Sequence, residues 1–155
     1  MKKPMLQDTP SWIVLKQVAQ HTTDGSAKRL SDLARRRQAA QQQLQMLLDY
    51  RADYQARLES ATRNGIRGEG LRNFSAFLVN LEVAIEQQSN VLTTLQEDVF
   101  VATTAWKKDQ RRVDSYQVLD ERQATAQRKS DNRVQQGLQD EMATRTFLKR
   151  RAGDD

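Results

Sequence analysis

Asn64-Gly65-Ile66-Arg67-Gly68-Glu69-Gly70 separates two heptad-spaced apolar seams, and its reading decides the fold. Asn-Gly followed by two further glycines permits positive φ and interrupts a helix. On the C-terminal side, alternate steps of four and three residues from Phe74 give Phe74, Leu78, Leu81, Ile85, Gln88, Leu92, Leu95, Val99, Ala102, Trp106, Asp109, Val113, Tyr116, Asp120 and Gln123. Eleven of these fifteen are apolar or aromatic, twice what a chain 37% hydrophobic would place there. On the N-terminal side the same walk reads Leu30, Leu33, Arg37, Ala40, Leu44, Leu47, Arg51, Tyr54, Leu58 and Ala61, eight of ten apolar. A period near 3.5 residues makes a narrow stripe along a helix, which must be buried against another helix. With one short break between the stripes, each half of the chain is the nearest partner of the other.

The expected fold is therefore all-α: a long, rod-shaped, two-helix antiparallel coiled-coil hairpin. The expected organisation is a disordered tail over 1–10, one domain over 11–150 (helix 11–62, loop 63–72, helix 73–150) and a second disordered tail over 151–155. Asp8 or Ser11 can cap the first helix and Asn73 the second. His21-Thr22-Thr23-Asp24-Gly25-Ser26 is a weak stretch, because glycine costs about 1 kcal/mol relative to alanine inside a helix. A fray or bend is expected there. Folding the chain so that Thr62 meets Asn73 sets Tyr54 against Leu81, Tyr50 against Ile85, Leu47 against Gln88, Ala40 against Leu95 and Arg29 against Trp106. On the same register the second helix overruns the first beyond about residue 124, and that overhang is polar.

Composition fits a thin seam and excludes much else. In 155 residues, 37% are hydrophobic and 29% charged, too little apolar matter for a thick core. Both prolines, Pro4 and Pro10, precede the first helix. With no cysteine there is no disulfide, thiolate metal site or thiol nucleophile. The longest early apolar run, Trp12-Ile13-Val14-Leu15, is too short for a signal-peptide core or a spanning helix. The net charge of +5 is concentrated in clusters: Lys28-Arg29 with Arg35-Arg36-Arg37, Lys107-Lys108 with Arg111-Arg112, and Arg145 with Lys149-Arg150-Arg151. Such patches suit an acidic protein surface, anionic lipid heads or nucleic acid, or simply a solvated helix face.

No catalytic, cofactor-binding or metal-ligating set is read from the sequence. The one histidine, His21, has no cysteine or carboxylate pair beside it. The glycine segment lacks the Gly-Lys-Ser/Thr ending of a phosphate loop. Asp109 and Asp120 fall in the seam, where an isolated polar group fixes register or marks a splay. A two-helix seam offers no concave pocket to perturb them. No enzyme is expected.

Several stretches resemble one family. Gln43-Leu44-Gln45-Met46-Leu47-Leu48-Asp49-Tyr50-Arg51-Ala52-Asp53-Tyr54 is similar to the Gln-Leu-x-Met-Leu-(Ile/Leu)-Asp-Tyr-x-x-x-Tyr segment of FliJ, the small coiled-coil protein of the bacterial flagellar export apparatus. Asn73-Phe74-Ser75-Ala76-Phe77-Leu78-Val79-Asn80-Leu81-Glu82, continuing into Val83-Ala84-Ile85-Glu86-Gln87-Gln88, resembles that family's Tyr-x-x-Phe-Ile-x-x-Leu-Glu-x-Ala-Ile-Glu-Gln. Ala105-Trp106-Lys107-Lys108 and Leu119-Asp120-Glu121-Arg122-Gln123 resemble two later motifs. The likeness spans about residues 12 to 140.

The resemblance implies a non-enzymatic, stalk-like partner of the hexameric flagellar export ATPase. Such a protein also contacts the transmembrane export gate protein and helps cycle export chaperones. It implies a cytoplasmic location, peripheral at the cytoplasmic face of the inner membrane, with no cofactor and no nucleic acid. The family's gate-binding surface carries over to Gln43, Leu47, Tyr50 and Tyr54 on the first helix and Phe77, Leu81, Ala84 and Gln88 on the second. Gln88 departs from the best-known member, which has His there. Lys107, Lys108, Arg111 and Arg112 are the expected contacts to the ATPase ring. An injectisome stalk, a general scaffold coiled coil or a nucleic-acid-binding coiled coil would share the same seam.

Overall fold

The computed structural model describes residues 11–153, so the expected tail over 1–10, the Asp8 cap and the final two residues lie outside it. Two helices account for nearly all of it: α1, Ser11–Arg63, and α2, Glu69–Ala152. They pack against each other as a helical hairpin, with no strand among the described residues. The chain divides into two compact units. One is Thr22–Asp109, which contains the turn; the other joins α1 up to His21 with α2 from Gln110 onward.

The turn is tighter than the expected 63–72. α1 ends in paired bonds from Ile66 N–H to the Ala61 carbonyl (2.9 Å) and from Gly65 N–H to the Thr62 carbonyl (3.2 Å). This is the helix stop that requires a left-handed residue, here Gly65 at φ 91°. Gly68, at φ 73°, turns the chain back, and its carbonyl accepts the Arg72 N–H (3.1 Å) to open α2. Gly70 is no helix breaker here. It lies in the first turn of α2, where a Cβ would come 2.8 Å from Ile66 Cδ1. Asn73 is thus inside the helix rather than its cap, and Glu69 supplies the favourable charge at the N-terminus.

The heptad walks coincide with the burial pattern. Every position named from Leu30 to Ala61 and from Phe74 to Asp120 is buried or half-buried, and only Gln123 is exposed. In the unit holding the turn, Ala40, Leu81, Val99 and Ala102 form the most buried apolar set; in the other, Ala19 and Val113 do. No described side chain reaches full burial, as a two-helix seam dictates. The α1 seam also continues past Leu30 through Ser26, Thr23, Ala19, Lys16 and Trp12, none of them exposed. Hydropathy misses that extension because three of its five residues, Ser26, Thr23 and Lys16, are polar.

The weak stretch at 21–26 does not break α1, whose helical assignment is continuous through it. Thr23 is 3% exposed, and the Ser26 hydroxyl bonds both the Thr22 carbonyl (3.2 Å) and the Asp109 carboxylate on α2. Tertiary contact supplies what glycine removes. Ser26 and Asp109 also obey the register set by Thr62 and Asn73. Nearer the turn, Tyr54 meets Phe74 and Phe77, which precede the Leu81 that this register sets against it. The shorter connection brings the start of α2 closer to the end of α1, so residues nearer the turn face each other. A cation–π contact sets Arg57 over Tyr54 on the same helix.

Past Asp120 the seam ends. Residues 121–153 are all exposed, and the helix runs through Arg151 and Ala152, where a disordered tail was expected. Local i to i+4 bonds lace this arm, among them Gln127 to Asp131 (3.1 Å) and Arg145 to Glu141 (2.9 Å).

Candidate functional site

Within the unit that holds the turn, aromatic residues from both helices cluster on one surface. Tyr54 of α1 stacks on Phe77 of α2 with ring centroids 4.0 Å apart and an interplanar angle of 24°. It meets Phe74 in a tilted arrangement at 5.9 Å. The Arg57 guanidinium lies 5.7 Å from the Tyr54 ring centre and pairs with Asp53 at 3.1 Å. Tyr54, Arg57, Asn73, Phe74 and Phe77 line a shallow cleft of about 320 Å³. Phe77 remains 40% exposed although its face is stacked.

The sequence-derived patch is divided by depth. Gln43, Tyr50 and Phe77 are exposed; Leu47, Tyr54, Ala84 and Gln88 are half-buried; Leu81, at 7%, lies beneath the surface rather than on it. Gln88 turns inward, its Nε2 donating to the Ala40 carbonyl at 3.1 Å. Arg51 reaches Glu82 across the pair at 3.2 Å, beside the patch. Sequence reading did not single out Phe74, Arg57 or Asn73 as surface residues. Phe74 reads in sequence as a seam residue and Asn73 as a helix cap, and nothing local marks Arg57.

In the other unit a polar clasp ties the start of α1 to α2. Asp120 accepts from Trp12 Nε1 at 2.9 Å and from Lys16 Nζ at 2.6 Å, and Lys16 also donates to Gln117 at 2.6 Å. The seam aspartate is thereby a register pin, matched by Asp109 with Ser26 in the unit that holds the turn. The Lys16 hydrogen bond, aided by Trp12 and the Lys16 charge, holds the Asp120 carboxyl below the usual aspartate range despite partial desolvation. A depressed folded value means that the clasp contributes fully above the unfolded aspartate value of about 3.9 and is lost as pH falls through the lower folded value. In a Trp106→Phe background, Trp12 emission should shift to the red as pH falls through that lowered folded value, where the carboxylate protonates. Asp120→Asn should show the shifted emission already at neutral pH. A pH-independent spectrum in the parent would refute the clasp.

The cations expected at a ring contact, Lys107, Lys108, Arg111 and Arg112, are all exposed, and none forms an ion pair with a described residue. By contrast Arg35, Arg57, Arg63 and Arg145 each pair with an acid one helical turn away. The arm beyond Asp120 exposes large apolar side chains, among them Leu138 (56%), Met142 (68%) and Phe147 (63%). His21 is exposed, and no group of three or more His, Cys, Asp or Glu among the described residues is arranged to hold a metal. Among those residues, no helix is long and apolar enough to cross a membrane.

Residues 13–152 match the family model described as flagellar FliJ protein. The chain is 34% identical over 136 residues to the flagellar FliJ protein of Salmonella typhi, covering 88% of this chain and 92% of that one. It is 33% identical over the same length to that of Escherichia coli K12, with the same coverage.

Proposed function

This chain belongs to the FliJ family of flagellar proteins, and from that premise we propose that it is a non-catalytic, stalk-like component of the flagellar export apparatus. It engages the hexameric export ATPase through the unpaired part of α2 and the cations Lys107, Lys108, Arg111 and Arg112. It engages the transmembrane export gate protein through the aromatic patch by the turn, and it hands on export chaperones. Its place is the cytoplasmic face of the inner membrane, where it is held by these partners. The observation that carries the gate reading is the convergence of two separate family-like motifs. Tyr50 and Tyr54 from α1 and Phe77 from α2 supply one partly exposed aromatic surface, knit by the Tyr54–Phe77 stack. Exposed aromatic anchors are the side chains that dominate protein–protein affinity.

The ring reading rests on the exposed arm and its unneutralised cations. A long single helix with no intramolecular seam has buried little apolar surface by folding and retains it for a partner. Deleting residues 125–155 should therefore weaken stimulation of ATP hydrolysis by the purified export ATPase. Helical pairing of the remainder should persist, because among the described residues of α2 none beyond Asp120 is buried or half-buried. Unchanged stimulation by the shortened chain would place the ring contact elsewhere.

A further inference from the structure

We propose that the cleft between Tyr54, Arg57, Asn73, Phe74 and Phe77 receives a single apolar side chain of the gate partner, with a carboxylate from the same segment resting on Arg57. This rests on the gate reading above and adds to it a pocket, two further lining residues from α2 and the chemistry of the occupant. The floor is aromatic on three sides: the Tyr54 and Phe77 rings stacked at 4.0 Å, and Phe74 tilted against Tyr54 at 5.9 Å. At about 320 Å³ the cleft is at the bottom of the roughly 300–1,000 Å³ range of small-molecule sites. It suits one side chain inserted from outside, not an enclosed ligand.

Arg57 is the one charged side chain lining the cleft, and its position gives the occupant a sign. Its guanidinium covers Tyr54, while Asp53 holds it from one turn away; both side chains of that pair are more than half exposed. An exposed i, i+4 pair contributes little and is easily shared. A guanidinium has five donors in a planar fork, so a second carboxylate can bind while the ring contact persists. Asn73 is exposed on the α2 rim, where its amide can both donate to and accept from the backbone of the incoming segment. An apolar floor with one cation and one amide on its edge fits an aromatic or branched aliphatic side chain followed closely by Asp or Glu.

The test uses the full chain against the purified cytoplasmic domain of the export gate protein, with affinity read by calorimetry. Arg57→Glu should lose at least tenfold. Arg57→Lys should lose several-fold, because an ammonium keeps the charge but neither the flat stacking nor the fork. Asn73→Ala should lose a few-fold. The loss in Arg57→Glu should shrink at high salt, as screening removes the carboxylate's advantage in the parent. Phe74 also belongs to the seam, so Phe74→Ala is read alongside its melting curve. Should Phe74→Ala unfold, the exposed Arg57 and Asn73 variants decide the matter alone. Near-parental affinity of Arg57→Glu and Asn73→Ala, with Phe77→Ala still losing binding, would overturn the pocket and leave the gate patch standing. Near-parental affinity of Phe77→Ala and Tyr50→Ala as well would overturn the gate reading itself.

Discussion

Phe77→Ala should weaken binding to the export gate about thirtyfold or more while leaving the paired helices folded. The ring is 40% exposed and its face stacks on one partner, Tyr54, at 4.0 Å. Removing a stacked aromatic pair costs about 0.5–1.5 kcal/mol beyond area burial, so the melting temperature should fall only modestly. In an interface, by contrast, a central aromatic anchor accounts for about 2 kcal/mol or more, roughly a thirtyfold loss in affinity. Loss of motility should accompany loss of binding. The decisive comparison is thermal melting by circular dichroism beside calorimetric affinity. A Phe77→Ala chain that melts as early as a core variant would make Phe77 part of the seam and remove the best residue of the patch.

Leu81→Ala is that core variant, and it should be the most destabilising simple truncation on α2 near the turn. Leu81 is 7% exposed in the unit that holds the turn, on the heptad line with Leu78 and Ile85. Leucine-to-alanine truncations in cores cost about 2–5 kcal/mol, the spread reflecting how far the void collapses. A seam with no fully buried side chain lets water or neighbouring side chains reach the void, so the lower part of that range is expected. Gate affinity of the fraction still folded should stay close to that of the parent, since Leu81 lies under the patch. A large affinity loss with an unchanged melting curve would instead make Leu81 a contact residue and overturn its assignment to the core.

The two variants separate functions that the sequence superimposes. Tyr54 and Leu81 both fall on heptad positions and both belong to motifs like those of the family, so spacing cannot say which faces a partner. Depth does. Leu81 is buried, Tyr54 is half-buried under its aromatic neighbours, and Phe77 is on the rim.

The seam was legible residue by residue, from Leu30 to Ala61 and from Phe74 to Asp120, because burial between two helices leaves only a 3.5-residue stripe out of water. The break was legible from Gly65 and Gly68, whose positive φ no other residue adopts cheaply. The sequence by itself therefore determined the helical hairpin and the place of its turn, and put the end of pairing at about residue 124, a few residues past the last half-buried position, Asp120. It did not determine the local register beside the turn, since Gly70 reads as a breaker and is in fact the clearance that lets Ile66 pack against α2. Nor did it reveal that Trp12, Lys16, Thr23 and Ser26 continue the seam, or that His21–Ser26 stays helical. Polar groups have no hydropathy signal, and only their partners across the pair, Asp120 and Asp109 among them, make them structural. The cleft is likewise a tertiary product. Arg57 is unremarked in sequence and Phe74 reads there only as seam and motif, and they share a wall only because the short turn brings Tyr54 level with the start of α2.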